Sequence, residues 1–152
     1  MSTERRIAEL GIEIPSASAP VANYVMTRQS GSLLFVSGHV CKRDGAVVTG
    51  QLGDSVSRDD GYALARATML DVLASARAAL GSLDRVTAVV KVAGFVNSTA
   101  TFTEQSLVIN GASDVLVEVF GEECGRHARA AVGVAQLPLG AAVELEAIFE
   151  VQ

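Results

Sequence analysis

The sequence predicts an α+β domain in which two main helices cover one face of a mostly antiparallel, six-stranded sheet. Three observations lead to this prediction. Two segments place apolar residues at helical spacing, the segment between them is a nearly continuous β-branched run, and the last segment alternates between apolar and mostly acidic residues. The elements follow one another as strands, helix, strand, helix and two strands.

The first twenty residues are predicted to form a lead-in to one domain over residues 21–152. Thr3–Leu10 is predicted to be a short helix capped by Thr3, and an extended stretch runs from Pro15 to Pro20. No repeat or composition shift marks a second domain.

A β-hairpin is predicted at the start of the domain. Residues 24–29 and 33–36 flank the turn residues Ser30-Gly31-Ser32, and one or two further strands are expected from Val40 through Ala46 to Thr49.

The first main helix is predicted to be capped by Ser57 and to end at Gly81. Its alanines favour close packing against a sheet. The apolar positions at helical spacing are Ala65, Met69, Val72, Ala76 and Leu80.

Val86–Val96 is predicted to be a central strand, because it is apolar on both faces and rich in β-branched residues. A second helix is predicted to follow, with Asn110 or Ser113 as its cap and Gly121 as its end. Its apolar positions are Ala112, Val115, Leu116, Val119 and Phe120.

The last two strands are predicted over Arg129–Gln136 and Ala142–Val151, paired around a reverse turn at residues 137–141. In the final strand the apolar face is expected to meet the helices. The other face mixes acids with Ile148, and together with the apolar central strand it predicts a homo-oligomer.

Composition excludes several classes of protein. The chain has 152 residues, of which 49% are hydrophobic, so it is expected to fold rather than to be disordered. Its net charge is −5, so electrostatic binding to nucleic acid or to an anionic membrane is not expected. No segment offers the roughly 18 apolar residues of a membrane helix, and the N-terminus lacks a signal-peptide core, so a cytoplasmic location is expected. Cys41 and Cys124 are expected to remain thiols.

No strongly diagnostic nucleotide, zinc-protease or hydrolase motif occurs. His39, Cys41, Cys124 and His127 have spacings that zinc accepts, but isolated histidines and cysteines are common in cores, so a zinc site is not expected. Arg129 is either a surface group or a fork for a planar anion. The residues leave these two readings open.

Glu144 also has two readings from its position in an apolar strand. It is either a partly buried base or a solvated edge acid.

At these residues the chain resembles the RidA (YjgF/YER057c/UK114) family, as a divergent member. The resemblance covers roughly Val21 to the end. Its motifs are Ala128-Arg129-Ala130-Ala131-Val132, Leu137-Pro138, Val143-Glu144-Leu145-Glu146-Ala147, Asn23-Tyr24-Val25, Phe35-Val36-Ser37-Gly38-His39, the strand Val86–Val96 and Asn110-Gly111-Ala112.

The resemblance implies a chorismate-mutase-like fold, a homotrimer, and clefts between subunits that bind small 2-imino or 2-keto acids. It further implies hydrolysis of 2-imino or 2-enamino acids to 2-keto acids and ammonia, a reaction for which no metal or organic cofactor is expected. Arg129 matches the residue that holds the substrate carboxylate, and Glu144 matches the acid that handles the attacking water. The positions that match cleft-lining residues are Tyr24, Ser37, Gly38, Asn110 and Ala131.

Four positions depart from the family pattern. Ala131 stands where a cysteine is frequent, Asn23 and His127 stand where prolines are frequent, and His39 stands where a glutamine is frequent. His39 and His127 are therefore candidate modulators of substrate choice or of a protonation-sensitive site.

The predicted pairing of the last two strands places Arg129 opposite the neighbourhood of Glu150. Glu144 is then about 20 Å away along the strand, so a cleft would have to combine Arg129 and Glu144 from different subunits. The alternative function is a non-catalytic module that binds a small carboxylate. A ribonuclease is disfavoured because the chain is acidic and lacks a basic stripe with stacking aromatics.

Overall fold

The computed structural model describes residues 1–152 and confirms the α+β class. The helices are α1 (Thr3–Glu9), α2 (Arg58–Leu80) and α3 (Gln105–Gly125). The strands are β1 (Thr27–Ser30), β2 (Leu33–Val40), β3 (Lys42–Arg43), β4 (Ala46–Val47), β5 (Val86–Asn97), β6 (Ala128–Val134) and β7 (Val143–Val151).

The main sheet has five strands in the order β1-β2-β7-β5-β6. The β5–β6 pair is parallel and the other pairs are antiparallel. In place of the expected sixth strand, β3 and β4, of two residues each, form a separate hairpin. Its turn residues Asp44 and Gly45 both have positive φ.

The predicted pairing of the last two strands is wrong, because β5 lies between β6 and β7. Pro138 and Gly140 do form a turn, but the connection crosses the end of β5 instead of closing a hairpin. Asn97 fixes the crossing: its backbone N–H donates to Ala142 O (2.9 Å) and its side-chain amide donates to Ala141 O (3.1 Å).

The two main helices cover one face of the sheet, as expected. In β7 the predicted alternation is confirmed, since every second residue from Val143 to Val151 is buried. The helices also pack closely on each other. A side chain at Gly111 of α3 would lie 2.1 Å from the carbonyl oxygen of Tyr62 in α2, so only glycine fits there.

The predicted boundaries of α2 are confirmed, but those of the other helices shift. Ser57 accepts a hydrogen bond from Asp60 N, and Gly81 ends α2 in the left-handed conformation. In α1 the cap is Ser2 rather than Thr3. The predicted start of α3 is wrong: the helix begins at Gln105, so Asn110 and Ser113 lie inside it.

The face of the sheet opposite the helices is open in the single chain. Phe35, Val90 and Val132 are each exposed by about two fifths, and β6 forms a free edge beside them. None of the three helices combines the length and the apolarity needed to cross a bilayer.

Candidate functional site

Arg129 lies on the edge strand β6, on the side of the sheet that the helices cover. Its backbone pairs with Val92, which is fully buried under the helices. The guanidinium reaches α3 and makes three hydrogen bonds there. Nη1 donates to Asn110 Oδ1 (2.8 Å) and Ser113 Oγ (3.1 Å), and Nη2 donates to Ser106 O (3.3 Å).

These partners of Arg129 are all uncharged. No carboxylate of the chain lies within ion-pair distance of the guanidinium, whereas Arg66 on the outer surface makes a bidentate pair with Glu118. A guanidinium has five N–H donors, and two of those of Arg129 have no partner. Arg129 is therefore a cation whose position is fixed by hydrogen bonds to uncharged groups and whose free donors can still bind an anion.

Ser113 continues the contacts of Arg129 to His127. Ser113 Oγ lies 3.0 Å from His127 Nε2, and His127 Nδ1 lies 2.7 Å from Gly125 O. Burial lowers the pKa of His127, the nearby Arg129 lowers it further, and the contact with Gly125 opposes both. Sequence reasoning missed Ser113 as a site residue, although its spacing of three from Asn110 puts both on one helix face.

Glu144 lies on the opposite, open face of the sheet. It occupies β7 between Val40 of β2 and Phe95 of β5. Burial raises the pKa of the Glu144 carboxyl, and the neighbouring Glu146 raises it further. The carboxyl has no hydrogen-bond partner within the chain.

Gly38 makes room for the Glu144 carboxylate. A Cβ at position 38 would lie 2.9 Å from Glu144 Oε1, so any larger residue would displace that oxygen. Ser37 and Gly38 together oppose the single residue Glu146, which makes a β-bulge in β2.

Ser37 of the bulge is joined to the segment that precedes β1. Ser37 Oγ donates to Val25 O (2.7 Å), which holds the segment before β1 against the sheet. Tyr24 on that segment is 44% exposed. Tyr24 and Ser37 line a cavity of about 550 Å³ on the open face, together with Arg28, Lys91 and Glu146 among others.

His39 points away from the Glu144 face. It is only 6% exposed and lies under α2. Its Nδ1 lies 2.6 Å from Ser37 O, and its Nε2 lies 2.9 Å from Ser75 Oγ. Burial lowers the pKa of His39, although the contact with Ser37 O and the charge of Asp71 oppose that shift.

The candidate residues therefore form two groups in one chain. The clamp group is Arg129, Asn110, Ser113, His127 and Ala131. The acid group is Glu144, Gly38, Ser37 and Tyr24. Ala131 lies two residues after Arg129 in β6, where it pairs with Gly94 of β5 and packs against the core.

The predicted register of Arg129 opposite Glu150 is wrong. Arg129 is level with Val92, and Val92 is level with Ala147, so Glu144 is two strands across and three residues along. Standard strand spacings make this about 14 Å between Cα atoms, and the two side chains lie on opposite faces. Arg129 and Glu144 do not meet within one chain.

No cavity of the single chain is lined by Arg129 or by Glu144. No group of three histidine, cysteine, aspartate or glutamate side chains is placed to hold a metal ion.

Comparison with known proteins identifies relatives along nearly the whole chain. The family described as YjgF/chorismate mutase-like, putative endoribonuclease, matches residues 4–150. Protein TCP17 of Trypanosoma cruzi is 57% identical and the match covers 95% of this chain and 91% of TCP17. The crystal structure of Atu1372 from Agrobacterium tumefaciens, a protein of unknown function, is 45% identical with a TM-score of 0.89, covering 99% of this chain and 92% of that one.

A more distant solved relative carries the name that the sequence motifs suggested. RidA from an Antarctic Psychrobacter is 28% identical with a TM-score of 0.61, over 90% of this chain and 94% of that one. TdcF from Escherichia coli, solved with bound serine, is 23% identical with a TM-score of 0.65, over 93% of this chain and 97% of that one, and shares the fold.

Proposed function

The chain belongs to the YjgF/chorismate mutase-like family, and from that membership and the two groups above we propose that it hydrolyses 2-imino or 2-enamino acids to 2-keto acids and ammonia. The observation that supports this most strongly is the state of Arg129. It is a partly buried cation, held by three neutral partners, with N–H donors left over.

Arg129 is proposed to bind the substrate carboxylate. A 2-imino acid carries a planar carboxylate directly beside the electrophilic C=N carbon. Charge-assisted hydrogen bonds from one guanidinium therefore fix the position of the reacting carbon as well. Asn110, Ser113 and Ser106 limit the motion of the clamp.

Glu144 is proposed to activate the attacking water. Its carboxylate takes a proton as the water oxygen bonds to C2, and the protonated acid then delivers that proton to the nitrogen. The hydroxyl proton of the tetrahedral intermediate is then also transferred to the nitrogen, the C2–N bond breaks, and the 2-keto acid and ammonia are released, so the net reaction consumes one water. A raised pKa suits a group that must both accept and return a proton near neutral pH.

The working cleft is proposed to lie between two subunits of a homotrimer. One subunit would contribute the clamp group at the edge of β6, and its neighbour the acid group on the open face. The exposed apolar residues of that face and the free edge of β6 support this assembly.

The activity is tested by generating 2-iminopropanoate with an amino acid oxidase and following its disappearance. We expect the wild-type protein to accelerate the loss, and Glu144→Gln to reduce the rate by about 10² to 10⁴ while still binding 2-ketobutyrate. Glu150→Gln is the matched control, because Glu150 lies on the same face of β7 but bonds Thr87 instead. No acceleration by the wild-type protein would refute the enzymatic proposal for this substrate.

The shared cleft is tested by mixing two inactive variants. Arg129→Ala and Glu144→Gln chains are co-expressed with different tags, and hybrid oligomers are isolated. If a cleft takes Arg129 from one chain and Glu144 from another, one of the three clefts in each isolated hybrid trimer regains both groups. Hybrids that remain as inactive as the parent variants would refute the shared cleft.

The same variants separate this reaction from the non-catalytic alternative. A small-carboxylate-binding module would bind 2-ketobutyrate through Arg129 and show no turnover in any variant. We do not propose a ribonuclease, because the net charge is −5 and Arg28 and Lys91 share the open face with Glu144, Glu146 and Glu150.

A further inference from the structure

We propose that Ser113 and His127 are positioning residues that fix the guanidinium of Arg129 through one directional chain of hydrogen bonds. The inference rests on the proposed role of Arg129 as a carboxylate clamp. It assigns a role to Ser113 and a defined tautomer to His127.

The direction of these hydrogen bonds follows from the carbonyl group of Gly125, where the series ends. Gly125 O can only accept, so the His127 Nδ1 that lies 2.7 Å from it carries the hydrogen. In a neutral imidazole Nε2 is then an acceptor, and the hydroxyl of Ser113, 3.0 Å away, donates to it. The Ser113 oxygen in turn accepts from Arg129 Nη1 at 3.1 Å.

The neutral form of His127 is what makes the chain consistent. A protonated imidazole would donate from both nitrogens, and the Ser113 hydroxyl would lose its acceptor. Ser113, the α3 side chain that contacts His127, is uncharged, and Arg129 is the charged group that acts on the imidazole from β6. Burial and that charge both keep the pKa of His127 low.

The hydrogen bonds to Arg129 determine which of its N–H donors remain for a ligand. Asn110 and Ser113 occupy both hydrogens of Nη1, and Ser106 O occupies one of Nη2. Nε and the second Nη2 hydrogen stay free. Without Ser113 only Asn110 and Ser106 hold the guanidinium, so it is more mobile, and the binding of a carboxylate then has to fix more of this long side chain. We expect a loss of about three- to tenfold in affinity.

Three variants test this relay, the series of hydrogen bonds from Arg129 through Ser113 and His127 to Gly125 O. His127→Gln keeps an acceptor near the position of Nε2, whereas His127→Asn can reach Gly125 O but not Ser113, and Ser113→Ala removes the connecting hydroxyl. Isothermal titration with 2-ketobutyrate is expected to give near wild-type affinity for His127→Gln. His127→Asn and Ser113→Ala are expected to bind about three- to tenfold more weakly, with thermal unfolding recorded for each variant.

A spectroscopic measurement tests the relay independently of ligand binding. Long-range ¹H–¹⁵N spectra of the wild-type protein are expected to show His127 protonated at Nδ1. The Arg129 Nε–H resonance is expected to move or broaden in Ser113→Ala and His127→Asn but not in His127→Gln. If the wild-type protein fails to bind 2-ketobutyrate, the proposed clamp is refuted while this readout still decides the relay. A His127 protonated at Nε2, or an Arg129 resonance unchanged in Ser113→Ala and His127→Asn, would overturn the relay.

Discussion

The chain builds the same local arrangement at two places, once around His39 and once around His127. In each, Nδ1 contacts the carbonyl oxygen two residues earlier, and Nε2 contacts a serine hydroxyl on a main helix. Around His39 the arrangement ends at Ser75, a buried residue of α2. Around His127 it continues through Ser113 to Arg129 at the edge of the sheet.

The difference shows that a buried histidine acquires its role from what lies beyond its partner. At Ser75 the chain of hydrogen bonds satisfies buried polar groups and joins β2 to α2. At Ser113 the same bonds position a cation that still has free donors. The four predictions below are ways to test whether the first arrangement is structural and the second is connected to binding.

The largest effect is expected from Arg129→Ala, because Arg129 is the end of the His127 arrangement that is proposed to bind the ligand. Loss of a charge-assisted pair of about 1.5 to 3 kcal/mol weakens 2-ketobutyrate binding by about ten- to a hundredfold. Isothermal titration measures the change. Arg66→Ala is the control, since Arg66 pairs with Glu118 away from the site, and equal losses in both variants would contradict the assignment.

The second prediction concerns His39→Ala, which should destabilise the fold without changing binding. The change leaves the buried Ser75 hydroxyl without an acceptor and opens space beneath α2, so the free energy of unfolding should fall by about 1 to 3 kcal/mol. Urea unfolding gives this number, and titration with 2-ketobutyrate gives the affinity. An affinity loss as large as that of Arg129→Ala would make the two histidine regions equivalent, contrary to the comparison.

Gly38→Ala is the third prediction and tests the backbone beside His39. The added methyl group would meet Glu144 Oε1 at 2.9 Å, so the carboxylate has to move by a few tenths of an ångström. Imine hydrolysis should slow by up to about tenfold, with 2-ketobutyrate affinity unchanged because Arg129 is on the other face. Unaltered turnover would mean that the position of Glu144 on this face does not matter.

The smallest effect is a pH dependence of stability. Both histidines have a lowered pKa in the folded chain, whereas in the unfolded chain each imidazole takes up a proton near pH 6.5. The unfolded state therefore binds more protons below that pH, and the free energy of unfolding should decrease as the pH falls from about 6.5 toward the folded-state pKa values.

Substitution separates the two contributions to this pH dependence. His39→Gln and His127→Gln should each flatten part of the slope in urea unfolding at several pH values, and the double variant should flatten more of it. A slope that is unchanged in the double variant would contradict the neutral state of both imidazoles.

Local signals in the sequence predicted the elements and much of their orientation. Ser57 and Gly81 bound α2 as predicted, since a cap and a left-handed glycine act within one turn of helix. The alternation of β7 likewise assigned Glu144 to the open face, because side chains on a strand alternate whatever the strand pairs with. Arg129 and Glu144 were candidates from motif and residue chemistry before any contact was known.

Non-local contacts determined the features that the sequence did not predict. The turn at Pro138–Gly140 is a real turn, but nothing local reveals that it crosses β5, so the register of Arg129 was wrong. The bulge at Ser37–Gly38 changes the strand parity and sends His39 beneath α2. The partnership of Ser113 with His127 and Arg129 depends on α3 packing beside β6, which spacing alone does not specify.

By itself the sequence determined most of the helices and strands, the face to which each acid of β7 belongs, and the choice of Arg129 and Glu144 as candidate residues. Capping, alternation and side-chain chemistry depend on single residues or on residues close together in the sequence, so they can be predicted from the sequence. Only the tertiary structure decided the strand order, the separation of Arg129 from Glu144 by the thickness of the sheet, and the difference between the two histidines. Those features arise where segments distant in the chain come into contact, and such contacts are set by the packing of the whole domain.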